Sequence, residues 1–153
     1  MASQRHTTAM EFLQSYEDFD ISRMLAIRTE SCTHGFVTSL GENPINTNAQ
    51  FAAFYEPIRP HLRRSKFTVK QIIEDDKANE IAVWCTVVIE FVNPAVAAYQ
   101  GDYAFFLEFD DSQTKVARVR EFVDRLGANE YLGQVEVAKS LSVESNTKAA
   151  NRL

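Results

Sequence analysis

The apolar residues change rhythm along the chain. Over roughly the first sixty positions they recur at helical spacing, and from residue 67 onward they alternate or run together. Ala9, Leu13 and Tyr16 share one face of a helix over residues 7–18, with Thr7 or Thr8 as N-cap. Asp20 caps a second helix whose apolar stripe, Ile21, Met24 and Leu25, continues onto Arg28. Residues 31–37 read as a short strand, and 39–44 as a loop broken by Gly41 and Pro44. Thr47 or Asn48 opens a third helix carrying Phe51, Phe54, Tyr55, Ile58 and Leu62, loosened by Pro57 and Pro60. Four strands follow, over 67–73, 80–92, 103–109 and 115–126, then a helix over 129–140. Helices first and consecutive strands afterwards predict an α+β domain over 1–140, with helices on one face of an antiparallel sheet. From residue 141 the chain turns polar, and a loose tail is expected over 141–153.

The second strand of this series is apolar on both faces. Ile81, Val83, Cys85, Val87, Ile89 and Phe91 form one row, and Trp84, Thr86 and Val88 the other, ending in Glu90. Helices can cover one row. The other needs a second cover, and a homodimer packed through its sheets is the simplest one.

Charge and composition narrow the function. A net charge of −5 over 153 residues argues against nucleic acid as a partner. The one basic run, Arg59, His61, Arg63, Arg64 and Lys66, reads as the solvated end of the third helix. Cys32 and Cys85 have no metal-like spacing, so neither a zinc site nor a disulfide framework is expected. No apolar leader or membrane-length run occurs, and a cytoplasmic protein without membrane partners is expected. The last three residues, Asn151, Arg152 and Leu153, only faintly match a peroxisomal tripeptide. Eleven Phe, five Tyr and one Trp can build a core, and can also line a pocket for a bulky organic ligand.

Candidate chemistry sits where a polar residue interrupts an apolar row, because a buried ionisable group needs a partner or a purpose. Glu121 breaks the row Ala117, Val119, Val123, and as a carboxylate in a dry pocket it is a usable general acid or base. Arg28 breaks the stripe of the second helix and offers a rigid fork of donors to such a carboxylate. Tyr103 opens the row Phe105, Leu107, Phe109, with Tyr99 four residues earlier; a phenol can donate to a developing oxyanion without carrying charge. Cys32 and His34 share a strand face, reading as a buried thiol beside a wall histidine rather than a nucleophile pair. Glu56, Glu90 and Asp124 are further carboxylates of open orientation. Phosphate-loop, dinucleotide, zinc-protease and serine-hydrolase fingerprints are absent, which favours acid–base chemistry on a ligand that brings its own reactivity.

Several segments together resemble a known family: residues 26–34 with Arg28 followed by Cys32, Thr33 and His34; the Ser39-Leu40-Gly41 loop; residues 44–48; Phe51 to Phe54; and Glu121, Phe122, Val123, Asp124. Over residues 7–137 the chain resembles the fungal SnoaL-like branch of the NTF2-like superfamily. That resemblance implies a cone-shaped α+β dimer and a cofactor-free isomerase of secondary metabolism. It is nearest to a group that directs semipinacol shifts in oxidised indole alkaloids of the brevianamide type. Its arginine, two tyrosines four apart and glutamate match Arg28, Tyr99, Tyr103 and Glu121. Beside that match, His34, Phe54, Trp84 and Glu90 are expected as further substrate contacts. The implied substrate is a 3-hydroxyindolenine or indole epoxide within a diketopiperazine, oxidised beforehand by a separate flavoenzyme. The alternatives are a meroterpenoid ring isomerase, using Glu121 with Asp124 or Glu56, and a non-catalytic dimer that binds a hydrophobic ligand.

Overall fold

Two short helices open the chain in this computed structural model, which describes residues 2–150. Helix α1, Gln4–Gln14, is capped by Ser3, whose hydroxyl accepts from the His6 backbone N–H. It starts earlier than Thr7 because its buried stripe does: Arg5, Thr8, Ala9, Phe12 and Leu13 recur at helical spacing, and the first two are polar. Thr8 is no cap; its hydroxyl donates to the Gln113 carbonyl at 2.6 Å. Helix α2, Ile21–Ala26, is capped by Asp20 as its sequence predicts.

Arg28 does not extend α2. It is the first residue of strand β1, Arg28–Thr38, and remains buried. The expected loop over 39–44 is mostly strand: a tight turn at Ser39 and Leu40 leads into β2, Gly41–Thr47, with Gly41 at φ +96°. Helix α3, Asn48–Tyr55, opens with a capping box between Thr47 and Gln50. Pro57 and Pro60 end it, leaving one 3₁₀ turn, Arg59–His61. The basic run is therefore largely strand: Arg63, Arg64 and Lys66 lie on β3, Leu62–Asp75, where Arg64 pairs with Glu90 at 2.7 Å.

Strands β3, β4 (Glu80–Phe91), β5 (Tyr99–Phe109) and β6 (Val116–Val123) form an antiparallel meander. The full order is β2-β1-β6-β5-β4-β3, and β1 pairs with β6 in parallel, so the six-stranded sheet is mixed. That pairing sets His34 opposite Val119 and Phe36 opposite Glu121, placing strand one and strand six side chains on one face. The sheet curls around this face, which α1, α3 and α4 close; the fold is α+β. Helix α4, Arg125–Ala150, begins before residue 129 and carries the stretch from Leu141 through Ala150, which is helix rather than loose tail. Its inner face buries Tyr131, Val135 and Ala138. Residues 151–153, with the peroxisome-like tripeptide, lie outside the described residues. Among those described, no helix is long and apolar enough to cross a membrane.

Candidate active site

A cavity of about 410 Å³ lies between the inner face of the sheet and helices α3 and α4. Its walls are mostly aromatic: Phe36, Phe51, Phe67, Phe105 and the phenols Tyr16, Tyr55, Tyr103 and Tyr131. Among the described residues, Glu121 is the only carboxylate in the wall, and His34 the only imidazole.

These two are bonded. His34 Nε2 lies 2.7 Å from Glu121 Oε2, with the His34 side chain 2% and the Glu121 side chain 12% exposed. Behind His34, its Nδ1 is 3.2 Å from Arg28 Nη2, which also donates to the Tyr16 hydroxyl at 2.7 Å. Arg28 Nε donates to the Met24 carbonyl at 3.3 Å. Its Nη1 has no hydrogen-bond partner, and the guanidinium instead lies 4.0 Å from the Phe51 ring centroid and 5.5 Å from that of Phe12. The imidazole is stacked on Phe36 and Phe51, at 5.5 and 5.4 Å between centroids. Burial pushes the His34 pKa down; Glu121 opposes this and Arg28 adds to it, so the ring stays neutral.

Arg28 thus does not reach Glu121 or line the cavity, as the sequence suggests it should; His34 stands between them. The three residues come from one strand pair. Arg28 and His34 lie on β1, and the parallel neighbour β6 brings Glu121 to the same face.

The tyrosine pair is also divided. Tyr103 lines the cavity, while Tyr99, fully buried, lies behind it. Tyr103 Oη donates to Tyr99 Oη at 3.2 Å. The contact needs two glycines. A Cβ on Gly101 would stand 2.1 Å from Tyr99 Oη and 2.8 Å from its Cζ, and one on Gly127 would stand 3.0 Å from the oxygen. Burial, and then the charge of Glu121, push the Tyr103 pKa far up, so it remains a neutral donor. Tyr131, from α4, has the same two causes and direction; its hydroxyl is sealed from water and has no partner.

Phe54 lines the cavity mouth, half exposed and edge-on to Tyr55. Trp84 and Glu90 are not at the cavity. On β4 the odd-numbered row, Val83 to Ile89, faces inward, so residues 84 and 90 point to the opposite face of the sheet. There the Trp84 indole N–H donates to Asp102, and Arg64 holds the Glu90 carboxyl below its usual range. Glu56 and Asp124 are exposed and line no part of the cavity. Tyr16, Tyr55 and Tyr131 carry no site signal in the sequence, because each falls at ordinary apolar helical spacing there.

No protein-family model matches the chain. Its sequence is 26% identical over 144 residues to the austinoid biosynthesis clusters protein J of Emericella nidulans, spanning 90% of this chain and 87% of that one. Among solved structures, the BvnE pinacolase of Penicillium brevicompactum superposes with a TM-score of 0.76 at 20% identity, covering 88% of this chain and 92% of its own. A protein of Shewanella denitrificans described as a SnoaL-like polyketide cyclase gives 0.68 at 8% identity, over 86% and 98%. An NTF2-like protein of Burkholderia pseudomallei gives 0.62 at 15% identity, over 84% and 95%. The fold of this chain is that of these SnoaL-like and NTF2-like proteins, and its sequence is similar to that of a fungal biosynthetic-cluster protein.

Proposed function

We propose that the chain is a cofactor-independent isomerase of fungal secondary metabolism that rearranges a bulky, largely apolar substrate by acid–base catalysis. The observation that carries this reading is the lone carboxylate of Glu121 in an aromatic cavity, bonded to a neutral imidazole. The substrate class fits a semipinacol-type shift in a 3-hydroxyindolenine of an indole diketopiperazine, a compound already oxidised by a separate flavoenzyme. Glu121 accepts the hydroxyl proton. The freed electron pair closes a C=O bond, the neighbouring C–C bond migrates to the imine carbon, and the imine nitrogen takes the proton back from Glu121. Atoms and electrons balance without an external reagent. The neutral Tyr103 phenol donates to the developing oxyanion, and the aromatic walls hold water away from the migrating centre.

A second reading, a ring isomerase acting on meroterpenoids, is favoured by the likeness to an austinoid-cluster protein and by the His34–Glu121 pairing. Both readings use Glu121 as the proton carrier. The test is Glu121→Gln, whose amide oxygen can still accept from His34. Positioned acid–base groups contribute about 10²–10⁴-fold, so a loss of that size is expected in a folded variant, with each substrate class offered in turn. Wild-type turnover by the variant removes Glu121 from the chemistry. Failure of the wild-type chain to convert either class leaves a hydrophobic-ligand-binding protein.

A further inference from the structure

The guanidinium behind His34 has only protons to offer. Arginine carries five N–H donors and no acceptor. Its Nη2 stands 3.2 Å from His34 Nδ1, so that nitrogen must present a lone pair. An imidazolium, or the Nδ1–H tautomer, would set N–H against N–H at this contact. The ring proton therefore sits on Nε2, pointing at Glu121 Oε2 over 2.7 Å. Glu121 Oε2, accepting this N–H, carries no proton of its own, and Glu121 Oε1 has no protein partner among the described residues.

We propose that Arg28 bars a proton from His34 Nδ1, fixing the ring as the neutral Nε2–H tautomer and Glu121 as the resting base of the site. Arg28 is thereby a positioning residue that acts through His34 and touches no substrate. This rests on the cavity being the reaction site and narrows what the site can start. The first proton moves from substrate to enzyme. A substrate bearing a hydroxyl beside an imine or carbonyl is matched; an epoxide, which must be protonated before it opens, is not.

The 153-residue chain has three histidines, so ¹⁵N-histidine labelling and long-range ¹H–¹⁵N correlation read each ring, with His34→Gln assigning the signals. The groups facing His34 are Arg28 and Tyr16 on one side and Glu121 on the other, with Tyr55, Tyr103 and Tyr131 across the cavity. In the wild-type protein, Nε2 is expected as the protonated nitrogen and Nδ1 as the bare one, unchanged between about pH 8 and about pH 6. Arg28→Lys, which still offers a donor, keeps that pattern. Arg28→Met releases it, and a proton appears on His34 Nδ1, as the other neutral tautomer or as a second proton. A protonated Nδ1 in the wild type overturns the proposal even if Arg28→Met does not fold, and a folded Arg28→Met chain with the wild-type spectrum overturns it as well. These spectra are taken without substrate, so they fail or succeed independently of the turnover test on Glu121→Gln.

Discussion

A single methyl group at Gly101 should dismantle the tyrosine pair. The Cβ of alanine there would stand 2.1 Å from Tyr99 Oη and 2.8 Å from Cζ, both inside contact distance. The neighbouring backbone cannot yield, because residue 101 is paired with Val87 in the middle of the sheet. Tyr99 must therefore swing out of a fully buried position and give up the hydrogen bond from Tyr103. Overpacking costs about 1–3 kcal/mol and a lost hydrogen bond about 0.5–1.5 kcal/mol, giving about 2–4 kcal/mol for Gly101→Ala. A chain of this size loses about 2–4 °C in Tm per kcal/mol, so a drop of about 10 °C is expected. Urea unfolding of wild type, Gly101→Ala, Tyr99→Leu and the double variant forms a cycle that isolates the clash. In the Tyr99→Leu background there is no ring to displace, and Gly101→Ala should cost under about 1 kcal/mol. Equal costs in both backgrounds would show that Gly101 serves the strand and not the ring above it, and the account of why Tyr99 and Tyr103 meet would be wrong.

Three further outcomes follow from the same geometry. Tyr103→Phe keeps the ring between sheet and cavity but removes the cavity-facing donor. It should slow turnover by roughly 10–10³-fold while changing Tm little, and full activity would exclude the phenol from the chemistry. His34 is neutral in the fold and protonates more readily when unfolded, so the unfolded state binds more protons below about pH 6.5. Its contribution to stability is present above that pH and lost as the pH falls toward the depressed folded value; stability measured against pH should flatten there in His34→Gln relative to wild type. The outward row Trp84, Ala104 and Phe122 is aligned across three strands, with Trp84 and Phe122 about half exposed. We expect a second copy to cover it, so light scattering should give twice 17.4 kDa, and Trp84→Arg should halve the mass without changing circular dichroism.

Sequence patterning carries further for strands than for their neighbours. The rows of β4 and β5 alternate with period two, and inward and outward faces follow directly: Tyr103 and the odd-numbered row of β4 face inward as their positions require. The same parity should have removed Trp84 and Glu90 from the site, since both lie on the even row. Element ends were harder where polar residues are buried. Arg5 and Thr8 hid the start of α1, and Arg28 passed for the end of a helical stripe because its burial is met by aromatic faces and one tyrosine rather than by a carboxylate.

What no local pattern carries is the parallel pairing of β1 with β6, which joins positions 85 to 88 residues apart. Everything chemical in the cavity depends on it. Separately, His34 reads as a wall residue, Arg28 as a snorkelling cation and Glu121 as a misplaced carboxylate. Brought onto one face they become a chain in which each group dictates the next one's protons. A guanidinium placed directly on Glu121 would bind both of its oxygens and leave no base. The imidazole transmits the positive end of the chain while occupying only one carboxylate oxygen, so the other stays available to a substrate. The neutral ring also spares the cavity a second formal charge, which an aromatic, water-poor wall could not solvate.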